Sequence, residues 1–491
     1  MAEDRVYIAV DLGAGSGRVI AARANQKQLA LEEIHRFENP GTELPGGSFW
    51  NIVGLYRDIL EGLRRCVDLH GSQIVSIGID TWGCDFGLIA SDGELMGMPH
   101  QYRDSRFEGM ADAMHELISE DEIFQHTGIK TNFYNTSLHL LAAAKQNNQA
   151  LHYAESLLFM PDLLAYWLTG VKRNERTIAS TSQLLDPRTG EWAWPVIEAL
   201  GLPKRLFGQV VPPGTVLGMI REQVAEAIGI SNIPVVATAC HDTASAVAGI
   251  PMCGPNQLWL SSGTWSIMGI EAAKPITDRA ALRYGFCNEL GTDGSVRFLK
   301  NISGLWLIQE CKREWEAAGT PLSYAQLATA ASEVPPFFAF IDPDHESFAS
   351  PGEMPQKIQA FCKSTGQVIP QTHGEILRVA NDSLALKYRS VYDRICELTG
   401  FSFEQLNAGG GGIQNTLLSQ ATANALGIPV LAGPIEATSC GNIITQMLAM
   451  GHLDTLSDGR ALIRESFEFQ TFTPQDAEAW QRAYQQFRDT I

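Results

Sequence analysis

Apolar and polar residues recur at two different periods along this chain, and the changes of period mark out its elements. Residues 6–10 are an apolar run ending at Asp11. Glycines at 13, 15 and 17 follow, then a second run over 19–22, so the opening predicts strand, tight turn, strand. A third strand is predicted over 29–37. Between 52 and 67 the spacing becomes helical, with Ile52, Leu55, Ile59, Leu63 and Val67 on one face, and a buried strand returns over 74–79. Three strands, a helix and a strand make a mixed sheet with a covering helix, which is an α/β arrangement. The three-strand opening separates it from a doubly wound dinucleotide fold.

Stretches 109–119, 137–155 and 161–168 are rich in Ala and Leu at helical spacing and read as insertions decorating the first domain. A strand over 235–239 gives way to a helix pattern over 241–248, which puts Asp242 at a strand-to-helix switch. Pro and Gly residues then punctuate the chain, and the domain boundary is expected within 246–257, giving domains 1–245 and 246–491. Residues 258–269 repeat the opening idea of strand, small polar turn and strand. Further on come a long helix over 375–398, a glycine run at 409–412, a helix over 415–426, a strand over 428–431 and a helix over 439–450. The second half therefore also alternates strands with helices.

Composition narrows the function classes. The chain has 491 residues, 45% apolar and 19% charged, and its length suits two or three domains at about 150 residues each. Lys and Arg total 36 against 55 Asp and Glu, a formal charge of −19. A nucleic-acid role would need a local basic exception, and the one basic cluster, at 172–176, is diluted by Glu175. Acids near the N-terminus and an apolar run stopped by Asp11 argue against an export signal, and no stretch approaches a membrane span. Nine cysteines, an odd number with no CxxC pair, suit reduced thiols rather than a disulfide framework or a structural metal. A cytoplasmic protein without membrane or nucleic-acid partners is expected, with a monomer favoured.

Four patterns carry candidate chemistry. In 11–18, Asp11 precedes a glycine-rich turn made of Ala14, Gly15, Ser16 and Gly17 and closed by Arg18; such backbone can bend around phosphate oxygens, although a plain structural hairpin reads the same way. The glycine run that includes Gly410 and Gly411 stands before a helix, a setting suited to a nucleotide or to close packing. His241, Asp242 and Thr243 lie at the carboxyl end of a strand, where Asp242 could accept a hydroxyl proton or simply cap a helix. Asp80, Trp82 and Gly83 follow a buried strand in a mixture suited to a polyol pocket, with a core tryptophan as the plain alternative. Asn301 and Gln309 flank an apolar, aromatic stretch and are weaker candidates. No GxSxG, HExxH or thiol–histidine cluster supports acyl transfer or zinc hydrolysis.

Taken together, these motifs resemble the FGGY family of carbohydrate kinases over nearly the whole chain. Residues 11–18 resemble its phosphate motif, 79–86 its sugar motif and 241–246 its catalytic motif; 261–266 and 410–415 resemble its adenosine-side pattern. The resemblance implies an actin-like ATPase (ribonuclease H-like) fold, two related lobes with an interlobe cleft. It further implies ATP-dependent phosphorylation of a sugar, with the C1 hydroxyl of L-rhamnulose as the expected acceptor and another ketose or polyol as the alternative. Asp242 is the implied general base, and Gly83, His241, Thr243 and Asn301 the implied sugar contacts. Ala14 to Arg18, Thr264, Gln309, Gly410 and Gly411 are implied around ATP. Asp11 is implied in Mg2+ coordination through water.

Overall fold

The structure, a computed structural model, describes residues 5–25, 27–254 and 257–491. Positions 255 and 256, inside the expected boundary window, lie outside the described residues. The chain divides into two compact units. The first comprises Met1–Cys253, Glu271–Phe298 and Ala437–Phe467; the second comprises Gly254–Ile270, Leu299–Glu436 and Glu468–Ile491.

In the first unit, strands Arg5–Leu12, Ser16–Ala24 and Leu29–Glu38 form an antiparallel meander, as the apolar runs predict. Arg5–Leu12 also pairs in parallel with Ile74–Thr81, which pairs in parallel with Pro234–Ala237, and Thr215–Met219 closes that edge antiparallel. Helix Ile52–His70 covers one face. Its predicted stripe holds, since Ile52, Leu55, Ile59 and Leu63 are buried while Val67 is half-buried. Asn51 accepts a bond from the Gly54 amide at 3.1 Å and so starts the helix. Each of those four side chains contributes roughly 1.5–3 kcal/mol by leaving water. Gly62 lets the helix sit close: a β-carbon there would come 2.4 Å from Val19 Cγ2.

The helical insertions differ in detail from the sequence reading. The stretch 109–119 narrows to Met110–His115, and 137–155 splits into Thr136–Lys145 and Gln149–Tyr153. The split has a local cause. Asn147 takes a left-handed conformation (φ 50°), and Asn148 accepts the Ala150 amide at 2.8 Å, capping a new helix in place of continuing the old one. A short hairpin, Gly41–Leu44 with Gly47–Trp50, was not evident from the hydrophobic pattern.

The second unit repeats the pairing scheme of the first. Leu258–Ser262 pairs antiparallel with Ser266–Ala272 and parallel with Leu406–Gly409; Leu406–Gly409 pairs parallel with Val430–Ala432, and Gln470–Phe472 closes the edge antiparallel. The weak internal repeat is thus a shared topology: a hairpin, two parallel neighbours and an antiparallel edge. The predicted long helix is His373–Thr399. Thr372 and Glu375 form a reciprocal capping box at its start, and Gly400 ends it with φ 70° and an amide bond to the Cys396 carbonyl.

Candidate active site

The parallel register of Arg5–Leu12 with Ile74–Thr81 sets Asp11 beside Asp80. Two carboxylates one strand apart repel, so each needs donors. Asp11 Oδ2 accepts from Arg18 Nη2 at 3.0 Å and from Ser439 Oγ at 2.8 Å. Asp80 Oδ2 accepts from Asn442 Nδ2 at 2.6 Å. Ser439 and Asn442 lie on helix Ala437–Ala449, whose Gln446 adds bonds to the Ile8 carbonyl and Ser76 hydroxyl. Burial holds the Asp80 carboxyl well above its usual range, and Asp11 and Asp242 push it the same way against the Asn442 bond.

The turn after Asp11 is held by Asn39, which donates its amide N–H to the Gly15 carbonyl at 3.2 Å and its side-chain Nδ2 to the Gly13 carbonyl at 3.0 Å. Gly15 and Ser16 are exposed, Ala14 and Arg18 half-buried and Gly17 buried. Gly17 is there for space: a β-carbon would meet the Phe37 ring at 2.4 Å and Leu12 at 2.6 Å. At Gly15 a β-carbon would meet nothing within 4 Å.

Asp242 opens helix Asp242–Gly249, directly after the bridge between Thr81 and His241 that extends the central sheet. Its Oδ1 accepts the Thr243 amide at 2.5 Å and the Thr243 hydroxyl at 3.1 Å, and lies 3.4 Å from His241 Nε2. The side chain keeps 31% of its exposure, so the carboxylate remains open on one side. The protein packed around it still raises its pKa above the ordinary carboxylate range; Asp11 adds to the rise, while His241 and Thr243 oppose it. Gly83 faces the same place, since a β-carbon on it would stand 3.3 Å from His241 Nε2 and 3.3 Å from Thr181 Oγ1. Asp11, Asp242, His241 and Gly83 therefore share one neighbourhood within the first unit.

Asp80 and Trp82 were candidate sugar-site residues in the sequence, with a core tryptophan as the plain alternative, and the structure buries both. The Asp80 side chain turns toward Asn442, and the Trp82 ring is 4% exposed, with Nε1 donating to Asp85 Oδ2 at 2.9 Å. Trp50 donates to the same oxygen at 2.6 Å. The two rings pack 4.2 Å apart. Burial raises the Asp85 carboxyl to about 7 despite these donors. Both residues back the site and present no open face to it.

Several residues were missed. Glu175 Oε2 accepts the Cys240 amide at 3.1 Å and also caps its own short helix, which steadies the chain just before His241. Glu289 and Arg297, paired at 3.0 Å, stand against His241. The detectable signal for this pair was Glu289 beside Leu290 in strand Cys287–Leu290 and Arg297 between Val296 and Phe298 in strand Val296–Ile302. For Asn39, Ser439 and Asn442 the linear pattern held no signal.

In the second unit, Thr264 sits in the turn of the Leu258–Ser262 hairpin and its carbonyl accepts the Trp306 amide at 3.0 Å. Gln309 follows one turn into helix Trp306–Ala317, its amide on the Leu305 carbonyl at 2.9 Å. Gly410 has φ 94°, and a β-carbon on it would stand 2.7 Å from the Ser262 carbonyl oxygen. Close backbone approach thus joins the glycine run to the hairpin. A 3-10 turn, Gly411–Gln414, intervenes before helix Thr416–Leu426, which Asn415 caps through the Leu418 amide at 3.1 Å. Asn301 is half-buried on strand Val296–Ile302.

Comparison with known proteins agrees over both units. The N-terminal domain of the FGGY family of carbohydrate kinases matches residues 6–249, and its C-terminal domain matches residues 258–450. A rhamnulokinase of Bacteroides thetaiotaomicron is 42% identical over 485 residues, covering 99% of each chain. One from Oceanobacillus iheyensis is 39% identical, covering 95% of this chain and 97% of its own. Among solved structures, a gluconate kinase from Lactobacillus acidophilus superposes with a TM-score of 0.81 at 14% identity, covering 99% of this chain and 97% of that one. A xylulose kinase from Rhodospirillum rubrum gives 0.78 at 17%, covering 99% and 98%. The fold is the actin-like ATPase fold that the motifs implied. With both of its domains matched and close relatives along its full length, the chain belongs to the FGGY family of carbohydrate kinases.

Proposed function

We propose that this kinase transfers the γ-phosphoryl group of ATP to the C1 hydroxyl of L-rhamnulose, giving L-rhamnulose 1-phosphate and ADP, with Asp242 as general base. The substrate class rests on the rhamnulokinases it resembles along its full length. The observation that carries the base role is the Asp242 carboxylate itself, half-open at a strand end and raised in pKa by its surroundings. A neutral sugar hydroxyl is a poor nucleophile. A carboxylate of raised basicity can orient it and take its proton as the oxygen bonds to phosphorus and the bond to the β-phosphate oxygen breaks.

Gly83, His241 and Thr243 are the neighbours proposed to hold the sugar, and Asn301 is the second unit's candidate. Ala14 to Arg18 are proposed for the phosphates; in the second unit, Thr264, Gln309, Gly410 and Gly411 are the set assigned to the nucleotide. The hard carboxylate oxygens fit Mg2+. Both described bonds to Asp11 fall on Oδ2, which leaves Oδ1 for a metal-bound water. Among the described residues no cluster of three or more His, Cys, Asp or Glu could hold a metal ion. Mg2+ needs none, because it keeps waters and binds through one or two carboxylates plus phosphate. When bound, Mg2+ offsets phosphate charge. Among the described residues no helix is long and apolar enough to cross a membrane, and a cytoplasmic location is part of this proposal.

The test is a panel of L-rhamnulose, L-fuculose, L-ribulose, D-xylulose and glycerol with ATP and Mg2+, with products identified by NMR. L-Rhamnulose is expected to give the highest kcat/KM and a 1-phosphate. Faster turnover of another acceptor would reassign the substrate while leaving the family membership intact.

A further inference from the structure

Among the described residues Arg297 is the largest charged side chain wholly enclosed by the protein, with 0% exposure, and the reaction as described gives it no task. Its Nε donates to the Leu290 carbonyl at 3.1 Å, which fixes the plane of the guanidinium. Its Nη2 lies 3.0 Å from Glu289 Oε2 and 3.2 Å from His241 Nδ1. His241 Nε2, on the far side of the ring, lies 3.4 Å from Asp242 Oδ1. The four side chains form a line, Glu289, Arg297, His241, Asp242, that ends on the proposed base.

The direction of that line depends on which ring nitrogen of His241 carries a proton. Glu289 Oε2 and Arg297 Nη2 are each 3.2 Å from Nδ1, so distance alone leaves the matter even. Chemistry and alignment decide it. A guanidinium does not give up its protons in a protein. The Arg297 contact meets the angular requirement of a hydrogen bond, whereas the contact of Glu289 Oε2 with Nδ1 does not. Nδ1 is then an acceptor, and the ring proton sits on Nε2, facing Asp242. Glu289 compensates the enclosed guanidinium without bonding the ring.

We infer that Arg297 is a positioning residue that fixes His241 in its Nε2–H form, so that His241 donates toward Asp242 and holds its carboxylate ionised and oriented for the incoming hydroxyl. The inference rests on Asp242 being the base. No proton moves between Arg297 and His241: the ring is a fixed donor, and the one proton transferred, from the sugar hydroxyl, goes to Asp242. Loss of the guanidinium would let the ring flip or change tautomer, turning a bare nitrogen on the carboxylate and repelling it.

The test uses the full chain labelled with 15N-histidine, its His241 resonances assigned by their loss in His241→Gln. Long-range proton–nitrogen correlation at pH 8 is expected to show the Nε2–H tautomer for His241. Arg297→Lys keeps a charge against Glu289 but loses the Nε bond to the Leu290 carbonyl that fixes the direction of the donor facing His241 Nδ1. It is expected to lower kcat by about 10- to 100-fold while the sugar KM changes by less than about three-fold, the size expected for a charge-assisted bond. An Nδ1–H tautomer in the unmodified protein would overturn the inference, as would an unchanged kcat in a folded Arg297→Lys protein. The tautomer is read without any variant at 297, so poor folding of that variant leaves the inference open to refutation. Full activity of Asp242→Asn with the Nε2–H tautomer intact would instead remove the base assignment and leave the His241 geometry standing.

Discussion

Gly441 meets Ser245 backbone to backbone: a β-carbon on Gly441 would lie 1.7 Å from the Ser245 carbonyl oxygen. The reciprocal contact is at Gly249, where a β-carbon would lie 2.0 Å from the Ala437 carbonyl oxygen. Helix Asp242–Gly249, which begins at the proposed base, therefore crosses helix Ala437–Ala449, which holds Asp11 and Asp80, with no side chain between them. Gly441→Ala cannot be absorbed by rotating a side chain. It is expected to destabilise the protein by at least about 1–3 kcal/mol, the usual range for overpacking. Urea unfolding of the variant beside the unmodified protein checks this.

The two glycines of the first turn should part company. Gly17→Ala drives a methyl into Phe37 and Leu12 and is expected to lower Tm, whereas Gly15→Ala points into open space and should leave Tm unchanged. If the Gly15 backbone approaches phosphate as proposed, Gly15→Ala should raise the KM for ATP. Thermal unfolding and ATP titration on both variants separate the packing role from the binding one.

Asp242→Asn keeps the shape of the side chain and loses its basicity. An expected fall in kcat of about 10²- to 10⁴-fold matches the usual contribution of a general base. Tm should not fall, because the carboxyl it replaces is held above its ordinary pKa and is thus no stabilising charge. Retention of near-normal rates of sugar phosphate formation would remove Asp242 from the base role.

Asp85 predicts a pH effect on stability. Its folded pKa is raised by burial to about 7 from 3.8, so the folded chain binds a proton that the unfolded chain releases. Its contribution is fully present below about pH 4 and is lost as pH rises through about 7. Asp85→Asn removes this term while its amide oxygen can still accept from Trp50 and Trp82. The stability difference between variant and unmodified protein should move in favour of the variant between pH 4 and 7, measured by urea unfolding at several pH values. A pH-independent difference would contradict the raised pKa.

Much of this could be read along the chain because it is written in short-range periods. The opening meander, helix Ile52–His70, helix His373–Thr399 and the position of Asp242 at the end of a strand all follow from apolar spacing and local caps. The splitting of 137–155 was harder, since a left-handed Asn147 competes with strong helix formers on both sides. Asp80 and Trp82 looked alike to Gly83 in sequence, yet strand register and two indole donors turned them inward. Asp80 is held by a partner 362 positions away, whereas Trp82 bonds Asp85 three positions on and packs against Trp50.

The sequence by itself determined which elements form and which chemical groups stand at their ends, because both depend on residues a few positions apart. Tertiary structure alone decided how those groups are tuned. Asp11 is held by Ser439, Asp80 by Asn442, and His241 by Arg297, partners 428, 362 and 56 positions away. A carboxylate's basicity and a histidine's tautomer depend on desolvation and on donors within a few ångströms, and only the folded chain brings those donors there.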